Sequence, residues 1–496
     1  MRIVQPLQPQ LSDYSIADIQ FDLKSRDDIP QILRGLQYIY VNIKLRNAVF
    51  QLLETHIQAD VDGNNGRPGM DLWKIFVIGV LRLDLNWDYD RLHEQVNNHK
   101  TIRQMLGHAD IFDTHYYHHQ TLKDNARLLT PSLLIEINKI VVSSGHALVK
   151  KKENEVLHGR CDSFVVKTNV HYPTDINLLF DAMRKIITLT AQLCEGHDLS
   201  EWRQYAYNIR HVKKLMRAAQ MKKRGGGKTE EQKEKCQEQM IAAHQLYIDI
   251  AQKYLDRARL SLGNLQRLVE LTPAQTLTGF EIQQYMADAD RQIDQTTRRV
   301  VEGKTIPHAE KVFSIFEPHT EWVVKGKAGV PVELGLKVCI VEDQHQFLLH
   351  HQVMEKQTDD QVAVSIVSET MARFPDLATC SFDKGFHSPG NQKELAEMLD
   401  VAALPRKGKR SKKTQETESS ETFLQAKKKH SAVESAINGL GVHGLDRCPD
   451  HGLDGFKRYV ALSIVGRNLQ RIGVILIEQE RKRLERMQKK RLKKAA

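Results

Sequence analysis

Three carboxylates stand where phosphoryl chemistry would need them. Asp162 interrupts an apolar, β-branched stretch, EVLHGRCDSFVVKTNV. Asp383 follows the apolar run LATCSF and precedes Gly385. Glu434 lies in KKKHSAVESAINGL, beside an apolar face of Val433, Ala436, Ile437 and Leu440. A charge inside an apolar strand is costly unless it is paired or bound to a metal. Oxygen ligands from separate elements suit Mg²⁺, which prefers hard donors. Two such ions about 4 Å apart activate an oxygen nucleophile and steady a leaving oxygen. Spacing alone leaves other carboxylates open: Asp175 and Asp181 beside Asp162, and Glu342 and Asp343 further on.

The elements that would position these groups follow from periodicity. Glu155 to Val170 predicts one strand or a hairpin, stopped at Tyr172-Pro173-Thr174-Asp175. Strands are expected at Lys311 to Phe316, Glu321 to Lys325, Glu333 to Val341 and Phe347 to Val353, the last two as a hairpin. Further strands are expected at Leu377 to Phe382 and Val401 to Leu404. Helices are expected at Val362 to Phe374, after Ser388-Pro389, over Phe423 to Leu440, and from Phe456 onward. Between the first strand and the others, Ile176 to Val301 reads as helical throughout. It holds a basic segment broken at Gly225-Gly226-Gly227 and a long helix over Glu281 to Val301. Residues Arg406 to Thr422 are charged and almost without apolar side chains, which predicts a disordered loop.

The first 150 residues read as short helices. Trp73, Phe76, Val77, Val80 and Leu81 share one face, Asn86 and Asp88 interrupt, and Leu92 and Val96 follow. Ile102, Met105 and Leu106 come last, ending at Gly107. This suits a helix-turn-helix-like module or a small helical bundle. The order along the chain is strand, helical block, strands, helix, strand, helix, strand, helix. With the block removed, an α/β core of RNase H type remains.

Composition sets the class. The 496 residues carry a formal charge of +10, with 41% hydrophobic and 27% charged residues, as in a globular protein with an anionic partner. The six cysteines are scattered singly, which suggests neither a zinc ribbon nor a disulfide framework and fits a reducing interior. The N-terminus lacks a signal-peptide layout, and the apolar run Ile75 to Leu81 is too short to span a bilayer, so no membrane role is expected. His115, His118 and His119 cluster without cysteines, and zinc is not expected there. The end, Arg481 to Lys494, is almost purely basic and suits either a helix along phosphates or a solvated tail.

Several blocks resemble one family. GRCDSFVVKTNVHYPTDINLLFDAMRK, SFDKGFHSPGN and HSAVESAINGLGVHGLDRCPDHGLDGFKRYVALSIVGRNL resemble the three catalytic motifs of DDE-type bacterial insertion-sequence transposases. GRPGMDLWKIFVIGVLRLDLNWDYDRLHEQVNNHKTIRQMLG resembles their N-terminal helical domain, and KVFSIFEPHTEWVVKGKAGVPVELGLKV is similar to the ISNCY group. The resemblance runs from about residue 60 to 475 in the expected order.

It implies an α/β RNase H-like catalytic core at 151–480, with a helical insertion at about 176–301 after the first strand. It also implies an all-α DNA-binding domain at 1–150 and leaves 481–496 as a basic tail. Asp162, Asp383 and Glu434 are then the catalytic triad and the ligands of two Mg²⁺ or Mn²⁺ ions. The implied partners are the terminal inverted repeats and target DNA, held by a homodimer or larger assembly in the cytoplasm at the nucleoid. DNA contacts are expected from Lys427, His430, Arg298, Arg299, Lys222, Lys223 and Arg224. The family often has Tyr and Arg seven and four residues before the glutamate and Lys seven after it. Here those places hold Lys427, His430 and Gly441, which leaves a hairpin-forming route without its usual residues.

Overall fold

A computed structural model describes residues 3, 14–57, 69–108, 114–150, 152, 154–223, 228–268, 270–324, 331–408 and 412–495. It divides into two compact units, residues 1–169 with 323–496, and residues 170–322. The protein is mostly helical, with one mixed sheet and a helical N-terminal region.

The first unit begins with helices α1 (Asp28–Val41), α2 (Ile43–Ile57), α3 (Leu72–Asp84), α4 (Tyr89–Asn98), α5 (Lys100–Met105), α6 (His119–Ala126) and α7 (Pro131–Val149). Strand β1 (Leu157–Thr168) follows as a single strand, and the chain then enters the second unit. That unit contains α8 (Asp175–Glu195), α9 (Tyr205–Lys223), α10 (Glu230–Leu268) and α11 (Pro273–Thr296), continued by a π-turn at Thr297–Val301. After it come β2 (Glu321–Val324), β3 (Val332–Glu342), β4 (Leu348–Met354), α12 (Asp359–Arg373), β5 (Leu377–Phe382), α13 (Pro389–Met398) and β6 (Val401–Ala403). The chain ends with α14 (Lys412–Glu418), α15 (Glu421–His430), α16 (Ala432–Leu440), β7 (Arg447–Cys448) and α17 (Gly452–Ala495).

The main path of the sheet is β2-β3-β1-β5-β6, with β4 also against β3 and β7 also against β1. Strand β1 is antiparallel to β3 and parallel to β5, and β5 is parallel to β6. Strand β1 is therefore central, which explains why its residues are buried on both faces at several positions.

Residues 1–150, expected to form a domain of their own, share one continuous core with the sheet. Leu33 and Leu36 of α1, Phe76 and Val80 of α3, Val166 of β1, Ile340 of β3 and Leu469 of α17 all belong to it. The division of the chain falls at the edges of the inserted helices instead. Helix α17 packs on α1, α3 and α7. At its crossing with α1 the backbones nearly touch. A Cβ on Gly473 would lie 1.7 Å from the Gln31 carbonyl oxygen, and one on Gly35 would lie 2.1 Å from that of Leu469. Helices α7 and α17 are long and apolar enough to cross a membrane by length and composition, and both bury apolar faces in this core.

The second unit has its own core, built from Leu179, Met183 and Ile187 of α8 with Tyr247, Leu255 and Leu262 of α10 and Ile282 of α11. Thr174 caps α8 through the Asn177 N–H, and Thr272 with Gln275 closes a capping box on α11.

Two expectations are corrected. Lys311 to Phe316 is not a strand; Ile315 is buried in the helical core of the second unit, with Val312 and Phe316 packed against it. Its apolar residues Val312, Ile315 and Phe316 serve helix packing rather than a ladder. The segment expected to be a disordered loop contains α14, and the Arg406 N–H donates to Glu418 Oε1 at 2.8 Å. Lys412 and Glu416, four apart, favour a helical turn there. Residues 409–411 lie outside the described residues.

Candidate active site

Two of the three expected carboxylates stand side by side because two parallel strands are in register. Cys161 of β1 pairs with Phe382 of β5, so the next residues along each strand direction are Asp162 and Asp383. Asp162 faces Ile340 across its other edge. Asp383 precedes a short 3₁₀ turn, and its side chain does not cap that turn. Glu434 stands in the first turn of α16, which packs on β1.

Electrostatics ties the three together. The Asp162 carboxyl is half-buried, and its pKa is pushed up to about 6, first by burial; the Ser163 N–H bonded to Oδ1 at 2.7 Å opposes the shift, and the charges of Asp383, Asp359 and Glu434 add to it. Asp383 and Glu434 are exposed, and neither carboxylate has a hydrogen-bond or ion-pair partner among the described residues. The other acidic candidates are occupied. Asp343 is fully buried and accepts from the His345 and Phe347 N–H groups at 2.8 and 2.9 Å, and it meets His146 Nε2 at 2.5 Å. Glu342 pairs with Arg160 at 3.0 Å. Asp175 pairs with Arg299 at 3.0 Å and Asp181 with His171 at 3.1 Å, all four in the second unit.

The residues around Glu434 differ in what they offer. His430 ends α15, and its Nδ1 lies 3.0 Å from Ser381 Oγ on β5. Burial lowers the pKa of His430, against the pull of Asp383, so it is a neutral hydrogen-bonding group near neutral pH. Lys427 is exposed in the last turn of the same helix. Beneath α15 a cavity of about 170 Å³ is lined by His158, Arg160, Thr379, Ser381, Gln425 and Lys429.

The turn after α16, Gly441–Leu445, fixes the far end of that helix. Gly444 has φ +111°, and a Cβ there would sit 2.9 Å from the Tyr459 hydroxyl and 3.1 Å from Asn86 Oδ1. The Tyr459 hydroxyl donates to the Gly444 carbonyl at 3.1 Å, and His443 Nδ1 lies 2.5 Å from the Asp84 carbonyl oxygen. The end of α3 and the first turns of α17 thus hold the helix that carries Glu434.

One carboxylate was not singled out from the sequence. Asp359 opens α12, accepts the Ser163 hydroxyl at 2.7 Å, and pairs with Lys337 Nζ at 3.0 Å. A Cβ on Gly385 would lie 3.0 Å from Asp359 Oδ2, so the glycine after Asp383 leaves room for it. In the sequence Asp359-Asp360 reads as the ordinary acidic first turn of a helix.

The remaining expected DNA contacts sit elsewhere. Arg298 pairs with Asp294 at 2.9 Å and Glu310 at 2.8 Å, and Lys222 donates to Gln239 at 2.8 Å, all within the second unit. Lys223 ends α9 with its side chain outside the described residues, and Arg224 lies outside them altogether.

The donor chemistry fits divalent metal ions: oxygen ligands, mutual repulsion that a cation relieves, and two carboxylates without partners. As the side chains stand, no three His, Cys, Asp or Glu groups are gathered closely enough to hold an ion among the described residues. The fit is one of donor type and backbone placement. No family model matches the sequence, and no curated protein or solved structure matches it.

Proposed function

We propose that the chain is a DNA transposase of the DDE type, cutting the ends of an insertion element and joining them to target DNA. The observation that carries this reading is the placement of Asp383 and Glu434, both without partners among the described residues, around the half-buried Asp162 at the centre of the sheet. The order of elements supports an RNase H-like core: β1, the inserted helices, the β3–β4 hairpin, α12, β5, α13, β6 and then α15–α16. The resemblance of the sequence blocks around the three carboxylates supports the same assignment.

Asp162, Asp383 and Glu434 would hold two Mg²⁺ or Mn²⁺ ions. Such ions would supply Lewis acidity for activating a water or a 3′-hydroxyl and for offsetting charge on the leaving oxygen. The chain's own contribution is to fix the ligands. Strands β1 and β5 hold two carboxylates at one level, and the clamped α16 presents the third. His430, neutral and anchored on Ser381, and the exposed Lys427 would be the groups that meet phosphates beside them. The DNA partner, two paired element ends and a homodimer or larger assembly belong to the same proposal.

The test is cleavage of a duplex carrying the element's own ends, with Mg²⁺ or with EDTA, by the intact chain and by Asp383→Asn. Metal-dependent nicking at the boundary followed by joining to a second duplex, lost in the variant, is the expected result. Nicking without joining makes the chain a nuclease or resolvase. Specific binding with no cleavage under either metal makes it an inactive DNA-binding regulator.

A further inference from the structure

The last helix leaves the protein. Helix α17 is buried through Val460, Ile464 and Leu469, and its last buried residue is Ile477. Every residue from Glu478 to Leu492 is exposed. The root of this extension is tied to the body: Arg481 Nε donates to the Leu23 carbonyl, and Arg34 stands 4.0 Å from Glu480. From Lys482 to Leu492 no side chain bonds or pairs with the rest of the chain among the described residues.

The segment RKRLERMQKKRLKK, Arg481 to Lys494, has nine basic residues and one acidic one. Like charges recur four apart, as at Lys482, Arg486 and Lys490, and such pairs destabilise a free helix. A helix of this length standing alone is marginal in water. Here the buried half of α17 supplies the nucleus, and the repulsion is left for an external anion to relieve.

The distribution of charge identifies the partner. At about 100° per residue, Lys482, Arg483, Arg486, Lys489 and Lys490 gather within an arc of roughly 120°, and Arg481 and Arg491 lie outside it. A helix lying on a lipid surface would separate an apolar face from a basic one. In α17 the side opposite the basic arc carries only Leu484, Met487 and Leu492 as apolar residues, with Arg491 between the first two, so the apolar face is small and interrupted by charge. A basic arc backed by so little apolar surface fits a row of phosphates.

We propose that the end of α17 lies along the phosphate backbone of duplex DNA, held through its basic arc and indifferent to base sequence. This rests on the nucleic-acid partner of the transposase reading and not on its cleavage chemistry.

The experiment is binding of a random-sequence duplex in EDTA across a salt series. It compares the full-length protein with a variant carrying Arg483→Gln, Arg486→Gln, Lys490→Gln and Arg491→Gln. Glutamine keeps helix propensity, and circular dichroism with thermal melting confirms that the fold is unchanged. The slope of log affinity against log salt is expected to fall in magnitude by about 3–4, since each phosphate contact contributes ~0.9. Duplex binding with equal slopes overturns this proposal alone. A full-length chain that binds no duplex overturns both this proposal and the transposase reading. Loss of binding to phosphatidylserine vesicles with duplex binding unchanged makes the helix a lipid-surface element and also overturns it.

Discussion

Ser163 donates its hydroxyl hydrogen to Asp359 Oδ1 at 2.7 Å, so the residue after Asp162 ties the central strand to the first turn of α12. Lys337 completes the tie from β3, with Nζ 3.0 Å from Asp359 Oδ2. Asp359 also adds to the negative field on Asp162. Replacing it by Asn removes one of the charges that hold the Asp162 pKa near 6, and the carboxyl should then titrate lower. Carbon NMR of the labelled carboxyl reads this directly; an unchanged titration shows that Asp359 does not act on Asp162. Ser163→Ala should cost about 1–3 kcal/mol in denaturant unfolding, because the bond it loses is to a charged group.

The proposed metal ligands make a sharper prediction. Asp162→Asn, Asp383→Asn and Glu434→Gln should each lower Mg²⁺-dependent cleavage more than ~100-fold, since even an outer-shell change around a metal costs ~10–100-fold. Duplex affinity in EDTA should stay within a few-fold. A variant that cleaves at the wild-type rate removes that residue from the triad.

The crossing of α1 and α17 has no room for a side chain, as the 1.7 Å from a Gly473 Cβ to the Gln31 oxygen shows. Gly473→Ala must push two helix backbones apart in a close-packed core, which costs ~1–3 kcal/mol or more. Thermal and denaturant unfolding should show the loss. Wild-type stability in this variant would mean that the two backbones do not meet this closely in solution.

Asp84 gives the protein a pH-dependent stability. The residue is fully buried, neither carboxylate oxygen has a hydrogen-bond partner among the described residues, and burial raises its pKa to about 8, partly opposed by Arg467. In the unfolded chain the same group titrates near 4. Between those values the folded state keeps a proton that the unfolded state has released, so stability falls as pH rises, by at most ~1.4 kcal/mol per unit from this group. The loss ends above about pH 8, where both states are ionised. Asp84→Asn should flatten this stretch of the stability profile. An unchanged slope in the variant assigns the dependence to another group, of which Glu342, raised to about 7 by burial, is the foremost.

The strands that hold the site were legible in the sequence because their signals are local. LATCSF is short, apolar and bounded by Pro375-Asp376 and by Asp383-Lys384-Gly385, and it forms β5 over Leu377–Phe382. Ser388-Pro389 starts a helix, with the Ser388 hydroxyl accepting from the Asn391 N–H at 3.1 Å. The features that failed to show depend on contacts far apart in the chain. KVFSIF is a short β-branched and aromatic run of the kind strands favour, but Val312, Ile315 and Phe316 pack in a helical core. Asp359 lies 197 positions from Asp162, and nothing in its own neighbourhood distinguishes it from a helix-starting acid. The N-terminal helices looked self-contained because the helix that completes their core, α17, is the last element of the chain.

That dependence on α17 sets an order of events during synthesis. Residues 170–322 are continuous in sequence and carry their own core, so they can fold while the ribosome is still translating the remaining third of the chain. The N-terminal helices cannot close theirs until α17 has emerged, more than 400 residues after α1. An incomplete nascent chain therefore has no finished site, and α16 is not clamped until Tyr459 is available to bond Gly444. A product truncated before α17 would expose the apolar faces of α1, α3 and α7 to quality control instead of being released as a partly folded chain.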